Sequence, residues 1–225
     1  MKKILFLSFL LSTMVIADDN DPFEDVNRLI DGFNQTLDGV VFEPIAKSYK
    51  KNVAQSVQNR VSDFSSNISD ANTLGNELVQ FELGNGSKTL GRVLINSTVG
   101  LLGLFDVASD IGLEKTNEDF GQTLAVWGVS EGPYVVLPFF GPSTVRDTVG
   151  LAVDSAQKTK RTKNIKTAQK VGITVSQTID TRVKLLPATD LLKRADDPYI
   201  SLRSAYLQKR QFDVYNGKPP EEDEF

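Results

Sequence analysis

The stretch YVVLPFFGP, residues 134–142, restricts the fold more than any other part of this 225-residue chain. Seven consecutive apolar or proline residues run into Gly141 and Pro142, and Ser143, Arg146 and Asp147 follow. Gly128, Gly132 and Pro133 precede it and Pro138 lies inside it, so no continuous helix crosses the segment. As a buried connecting loop it would carry backbone groups that are hard to satisfy. Seven extended residues reach at most about 25 Å, enough to line a cavity wall or cross about one leaflet.

A second segment resists simple classification. RVLINSTVGLLGLFDVASDIG, residues 92–112, is apolar around nearly the whole helical circumference between Val99 and Val107. Gly100 and Gly103 interrupt it, and Asp106 sits inside. A helix apolar all round is either core or in contact with lipid. Neither segment can span a bilayer alone, and together they point to a protein that handles acyl chains without being a transmembrane protein.

The rest reads as helix. Asp21 is placed as an N-cap, with Pro22 at the first helical position and Glu24 completing a capping box. Phe23, Val26, Ile30, Phe33 and Leu37 then mark one helical face. Asp197 and Pro198 repeat the opening ahead of the stripe Tyr199, Leu202 and Tyr206. Ala168, Val171, Val175, Ile179, Val183 and Leu186 trace another helix. The series from Phe42 to Phe64 keeps helical spacing over two helices, with a break near Asn52. Strand alternation is nowhere sustained, and no fixed-period repeat is visible. The expected fold class is all-α.

The two ends read differently from the body. MKKILFLSFLLSTMVIA has two lysines, an apolar stretch of 13 residues from Ile4 to Ile16, and the small residue Ala17 before Asp18. This is the pattern of a secretory signal, expected to be cleaved after Ala17 (residues 1–17). A spanning helix needs about 20 apolar residues. Removing Lys2 and Lys3 leaves 23 basic against 29 acidic residues, a net charge of −6. Such a surface offers nucleic acid no basic footprint. Residues 18–215 form one expected domain, and NGKPPEEDEF, 216–225, reads as a solvated acidic tail.

The chain has no cysteine and no histidine. That removes disulfides, the Ser-His-Asp triad, a cysteine nucleophile and the usual zinc sites. No phosphate-binding Gly-rich loop or calcium-loop spacing occurs, so neither cofactor nor metal is expected. A carboxylate pair is the remaining route to catalysis, and the expectation is that the protein is not an enzyme.

Four stretches carry a specific resemblance: DPFEDVNRLIDGFNQTLD, GRVLINSTVGLLGLFDVAS, EDFGQTLAVWGVSEGPYVVLPFFGPSTVRD and DPYISLRSAYLQKR. In this order they resemble the MlaA (VacJ) family of outer-membrane lipid-asymmetry proteins over residues 21–214. The resemblance implies a ring of amphipathic helices in the inner leaflet of the Gram-negative outer membrane, on its periplasmic side. A central amphipathic channel would take mislocalised phospholipid from the outer leaflet toward a periplasmic carrier. Its implied partners are phospholipid, a trimeric porin, and that carrier linked to an inner-membrane ABC transporter. The alternative is a structural, porin-associated outer-membrane protein without transport activity.

The same resemblance places Gly128, Gly132, Pro133, Tyr134, Leu137, Pro138, Phe139, Phe140, Gly141 and Pro142 along the channel. Tyr134, Leu137, Phe139 and Phe140 are the expected acyl-tail contacts. Arg146 would either meet a phosphate or pair with Asp147 or another acid. Phe33 and Asn34 fall where the family has its channel control point. Family members commonly carry a lipid-modified cysteine after the signal, and this sequence has none to modify.

Overall fold

The computed structural model describes residues 21–220. The expected signal segment therefore lies outside the described residues, as does the last part of the acidic tail. Helix α1 (Glu24–Leu37) continues through a π-helical turn (Asp38–Phe42) into α2 (Glu43–Asn52). The chain is extended at Val53, which separates α2 from α3 (Gln55–Val79) near Asn52, as the spacing predicts. After α4 (Leu83–Thr98), the short α5 (Val107–Asp110) and α6 (Phe120–Val126) lead to strands β1 (Tyr134–Leu137) and β2 (Gly141–Thr144). Helices α7 (Val145–Arg161), α8 (Thr167–Leu192) and α9 (Pro198–Val214) complete the chain.

The capping signals hold in part. Asp197 caps α9, its carboxylate accepting from the Tyr199 and Ile200 amides. Asp21 lies too early for that geometry, since Phe23 occupies the N-cap of α1. Its Oδ1 accepts from the Phe23 amide at 3.3 Å and its carbonyl from the Glu24 amide at 3.1 Å. Glu24 does not close a capping box. It accepts from Arg28 at 2.7 Å, one turn further along.

One expectation is corrected. Residues 92–112 do not form one helix, because α4 ends at Thr98 and the chain turns back before Asp106. Leu101 (φ 52°), Leu102 (φ 60°) and Gly103 (φ 86°) are left-handed in succession. A side chain at Gly103 would place Cβ 2.3 Å from Asn67 Nδ2, so the loop can approach α3 only through glycine. The ribbon is not crossed by a helix, in keeping with its glycines and prolines. It folds into an antiparallel hairpin, the one sheet among the described residues.

Burial is inverted relative to a water-soluble domain. Among the described residues six apolar side chains are buried, against twenty-four polar or charged ones. Arg92, 1 % exposed, donates to Asp70 (3.2 Å) and Asp106 (2.9 Å) between α3, α4 and the start of α5. Asp70 also pairs with Lys115. Meanwhile Phe81 (83 % exposed), Leu102 (77 %), Leu29, Leu94, Ile111 and Trp127 face outward. Water gives no driving force for that arrangement, and a hydrocarbon medium does. Among the described residues no helix is long and apolar enough to cross a membrane.

Candidate functional site

The hairpin is the focus of the site. Tyr134 pairs with Thr144 and Leu137 with Gly141, leaving Pro138, Phe139 and Phe140 at the tip. Burial alternates along β1: Tyr134 and Val136 turn inward, Val135 and Leu137 are partly exposed. Tyr134, 3 % exposed, packs edge-on against Tyr199 and Tyr206, each with its ring 6.1 Å away. It anchors the hairpin and is not placed to meet acyl tails, contrary to expectation. Phe139 and Phe140, each 70 % exposed, project from the tip. Pro142 lacks an N–H and is tolerated because β2 is an edge strand.

The other edge of the hairpin is held by α1 through two asparagines seven residues apart. Asn27 donates Nδ2 to the Tyr134 carbonyl (3.1 Å) and accepts from the Val136 amide (2.8 Å). Asn34 donates to the Leu137 carbonyl (3.0 Å) and accepts from the Phe139 amide (2.8 Å). Each amide side chain replaces a neighbouring strand, so β1 has no bare edge along these residues. Phe33 meets Phe139 edge-on with ring centres 5.4 Å apart. Phe33 and Asn34 are thus brought directly against the ribbon.

The glycines and prolines fall at the joints. Gly128 follows the last turn of α6 with φ +86°, and its amide closes that turn on the Ala125 carbonyl. Gly132 and Pro133 precede β1, and the Pro133 carbonyl accepts from the Val145 amide at 3.2 Å. Gly141 opens β2.

Beside the hairpin lies a cavity of about 490 Å³ with a mixed lining. Leu137, Phe140, Pro142 and Leu151 are among its apolar residues. Glu118, Asp119, Gln122, Asp147, Asp154 and Arg210 are among its polar ones. Arg210 forks Asp147 with two bonds of 2.8 Å and reaches Asp119 at 2.7 Å. Burial opposes charging Arg210, but hydrogen bonds to Asp119 and Asp147 outweigh it and raise its pKa. Burial likewise pushes Asp147 up, while Arg210 and Tyr206 outweigh it and hold its carboxyl low.

Arg146 resolves to the second of its two expected roles. It is buried, and its Nε donates to Asp147 at 3.2 Å, so it is not open to a phosphate. Glu118 accepts from two neutral amides, Gln80 and Gln122, each at 2.9 Å. Burial raises its pKa to about 7, with Glu82, Asp119 and Glu77 adding to the rise. Arg210, Asp154, Glu118 and Asn27 were not singled out from sequence. Their residue types are common in polar faces, and only the fold turns those faces inward.

A helical molecule with an apolar exterior, a charged interior and a cavity of mixed lining has the surface distribution of a membrane-associated protein. Comparison with known proteins makes this specific. The MlaA lipoprotein family model matches residues 19–213, and the chain belongs to that family. The intermembrane phospholipid transport system lipoprotein MlaA of Escherichia coli strain K12 is 34% identical over 208 residues, 90% of this chain and 82% of its own. Its Haemophilus influenzae counterpart is 32% identical over 213 residues, 92% and 84% of the two chains. An uncharacterized protein of Rickettsia typhi is 35% identical over 195 residues, 86% and 78% of the two chains. A solved structure concerned with maintenance of bacterial outer membrane lipid asymmetry superposes with a TM-score of 0.75. It shares 32% identity and covers 86% of this chain and 98% of its own.

Proposed function

We propose that this chain is a phospholipid conduit that maintains outer-membrane lipid asymmetry, removing mislocalised phospholipid from the outer leaflet toward a periplasmic carrier. The observation that carries this reading is a cavity lined by both apolar and polar side chains within an apolar exterior. Headgroup and tails need different surroundings along one path. A methylene left in water costs about 0.8 kcal/mol, and an unpaired polar group in hydrocarbon a few kcal/mol. In this reading the helices form a ring in the inner leaflet of the Gram-negative outer membrane. The hairpin, clamped by Asn27 and Asn34, borders the channel. Leu137, Phe139 and Phe140 meet acyl tails, and Gly128 sets how the hairpin closes. A trimeric porin and a carrier served by an inner-membrane ABC transporter are the partners. The chain arrives by a cleaved signal, with a mature N-terminus at Asp18.

The test is outer-leaflet phospholipid in cells lacking this chain, complemented with wild type or variants at equal abundance. Gly128→Val keeps free space around the new side chain, since nothing lies within 4 Å of a Cβ there. Its left-handed backbone, however, costs a non-glycine residue about 1–2 kcal/mol. Leu137→Glu places a charge among the cavity's apolar residues. Both variants are expected to reach the membrane and raise outer-leaflet phospholipid. Wild-type levels with both would make the hairpin a connector and favour the structural, porin-associated alternative.

A further inference from the structure

We propose that the basic turn joining α7 to α8 is a docking surface for anionic phospholipid headgroups. Lys158, Lys160, Arg161, Lys163, Lys166 and Lys170 lie within 13 residues, and no acid occurs between Asp154 and Asp180. This is a concentrated positive patch on a chain whose net charge is −4.

The patch is not neutralised within the fold. Elsewhere four exposed lysines find acids, Lys47 and Lys193 with Glu43, Lys184 with Asp180 and Lys209 with Asp213, while the exposed lysines that find none, Lys50, Lys51, Lys88 and Lys218, are not gathered into a run of six cations. None of the six cations of the turn joins an ion pair among the described residues. Lys158 donates to the Gln177 side chain (3.3 Å), and Arg161 to the Ala71 carbonyl (3.1 Å) and Asn72 (2.6 Å). Lys160, Lys163 and Lys166 are exposed and have no side-chain partner among the described residues.

Helix electrostatics accounts for only half of the cluster. Lys158, Lys160 and Arg161 lie in the last turn of α7, where the helix dipole favours cations. Lys166 is the N-cap of α8, Lys163 lies just before it and Lys170 in its first turn, where the dipole disfavours them. No acid stands in that first turn to compensate. These lysines raise the folding cost of the segment, so their use lies outside the chain.

The surroundings select the occupant. Val171 and Val175 are exposed one and two turns further along α8. At 1.5 Å per residue, Val171 lies about 8 Å along the helix axis from Lys166, within the roughly 5–10 Å to which an interfacial apolar face is buried. An acidic protein would complement the lysines but has no need of valines beside them. A leaflet carrying anionic lipid offers both. The inference rests on the reading that the apolar exterior faces lipid, and it adds the turn's position at the headgroup level and a preference for negative charge.

The experiment is flotation of the purified chain with phosphatidylcholine vesicles, with and without phosphatidylglycerol, in low and high salt. The variant is Lys160→Gln/Lys163→Gln/Lys166→Gln, all exposed positions, with circular dichroism as the check on folding. Each lysine brought to an anionic surface is worth about fivefold in affinity, and salt screens it. Wild type is expected to prefer the anionic vesicles by about tenfold or more in low salt. The variant, which keeps Lys158, Arg161 and Lys170, is expected to lose most of that preference and keep its binding to neutral vesicles. Equal binding of wild type to both vesicles, or a preference undiminished in the variant, overturns the proposal. Failure to bind any vesicle overturns the lipid-facing exterior as well. Lysine-dependent retention on polyglutamate, without a vesicle preference, would replace the membrane with an acidic protein partner.

Discussion

Arg92 and Glu118 show what burial of charge means at single residues here. Arg92 is enclosed by Asp70, Asp106, Ser109 and the Leu113 carbonyl. Removing one member of a buried ionic group strands the others at about 3–5 kcal/mol. Arg92→Met is therefore expected to destabilise the fold by that amount in chemical unfolding. Arg92→Lys should recover only part of the loss, since one ammonium cannot replace a fork. Glu118 is the reverse case, a carboxyl with no cationic partner and a folded pKa of about 7 against an ordinary 4.5. The folded state holds this proton more tightly than the unfolded chain does. Its contribution is complete below pH 4.5 and is lost as pH rises through 7, about 3 kcal/mol. Glu118→Gln should remove that slope and be the more stable form at pH 8, as read by thermal unfolding across pH. The sequence placed Arg92 at the head of an apolar stretch and gave Glu118 no notice, because neither burial nor partners have a local signature.

At the scale of elements, long periodic patterns were readable and short ones were not. The α1 stripe, the break after Asn52, α8 and the Asp197-Pro198 start of α9 follow from spacing and capping chemistry. The hairpin does not, since two four-residue strands are too short for alternation to register. What makes the hairpin stable lies 100 residues away, on α1. A two-stranded sheet is marginal by itself, and Asn27 and Asn34 supply the missing third edge. Asn34→Ala would leave the Leu137 carbonyl and Phe139 amide without those partners, at about 1–3 kcal/mol if they stay out of water. The tip, and not the Tyr134 anchor, should loosen. Hydrogen exchange is expected to accelerate at Phe139 and remain slow at Val136, where Asn27 still accepts. Equal acceleration at both amides would mean the hairpin moves as one unit.

Across the whole molecule, the alternation of apolar and polar faces was visible in the sequence but its direction was not. A helical stripe looks the same whether it faces a core or a lipid. The ribbon and the family resemblance point to lipid, and the structure buries Arg92, Asp70, Glu77 and Thr123 while leaving large apolar side chains exposed. Extraction should follow: detergent is expected to release the protein from membranes, and high salt alone is not. The inverted interior also has a calorimetric consequence. Heat-capacity change on unfolding tracks apolar surface newly hydrated, and ordinary domains give about 12–15 cal/mol/K per residue. A fold that hides so few apolar side chains from its surroundings has little such surface left to release. In detergent, scanning calorimetry should return a heat-capacity increment well under that range. The stability curve would then be flat, with melting broad and cold denaturation far out of reach.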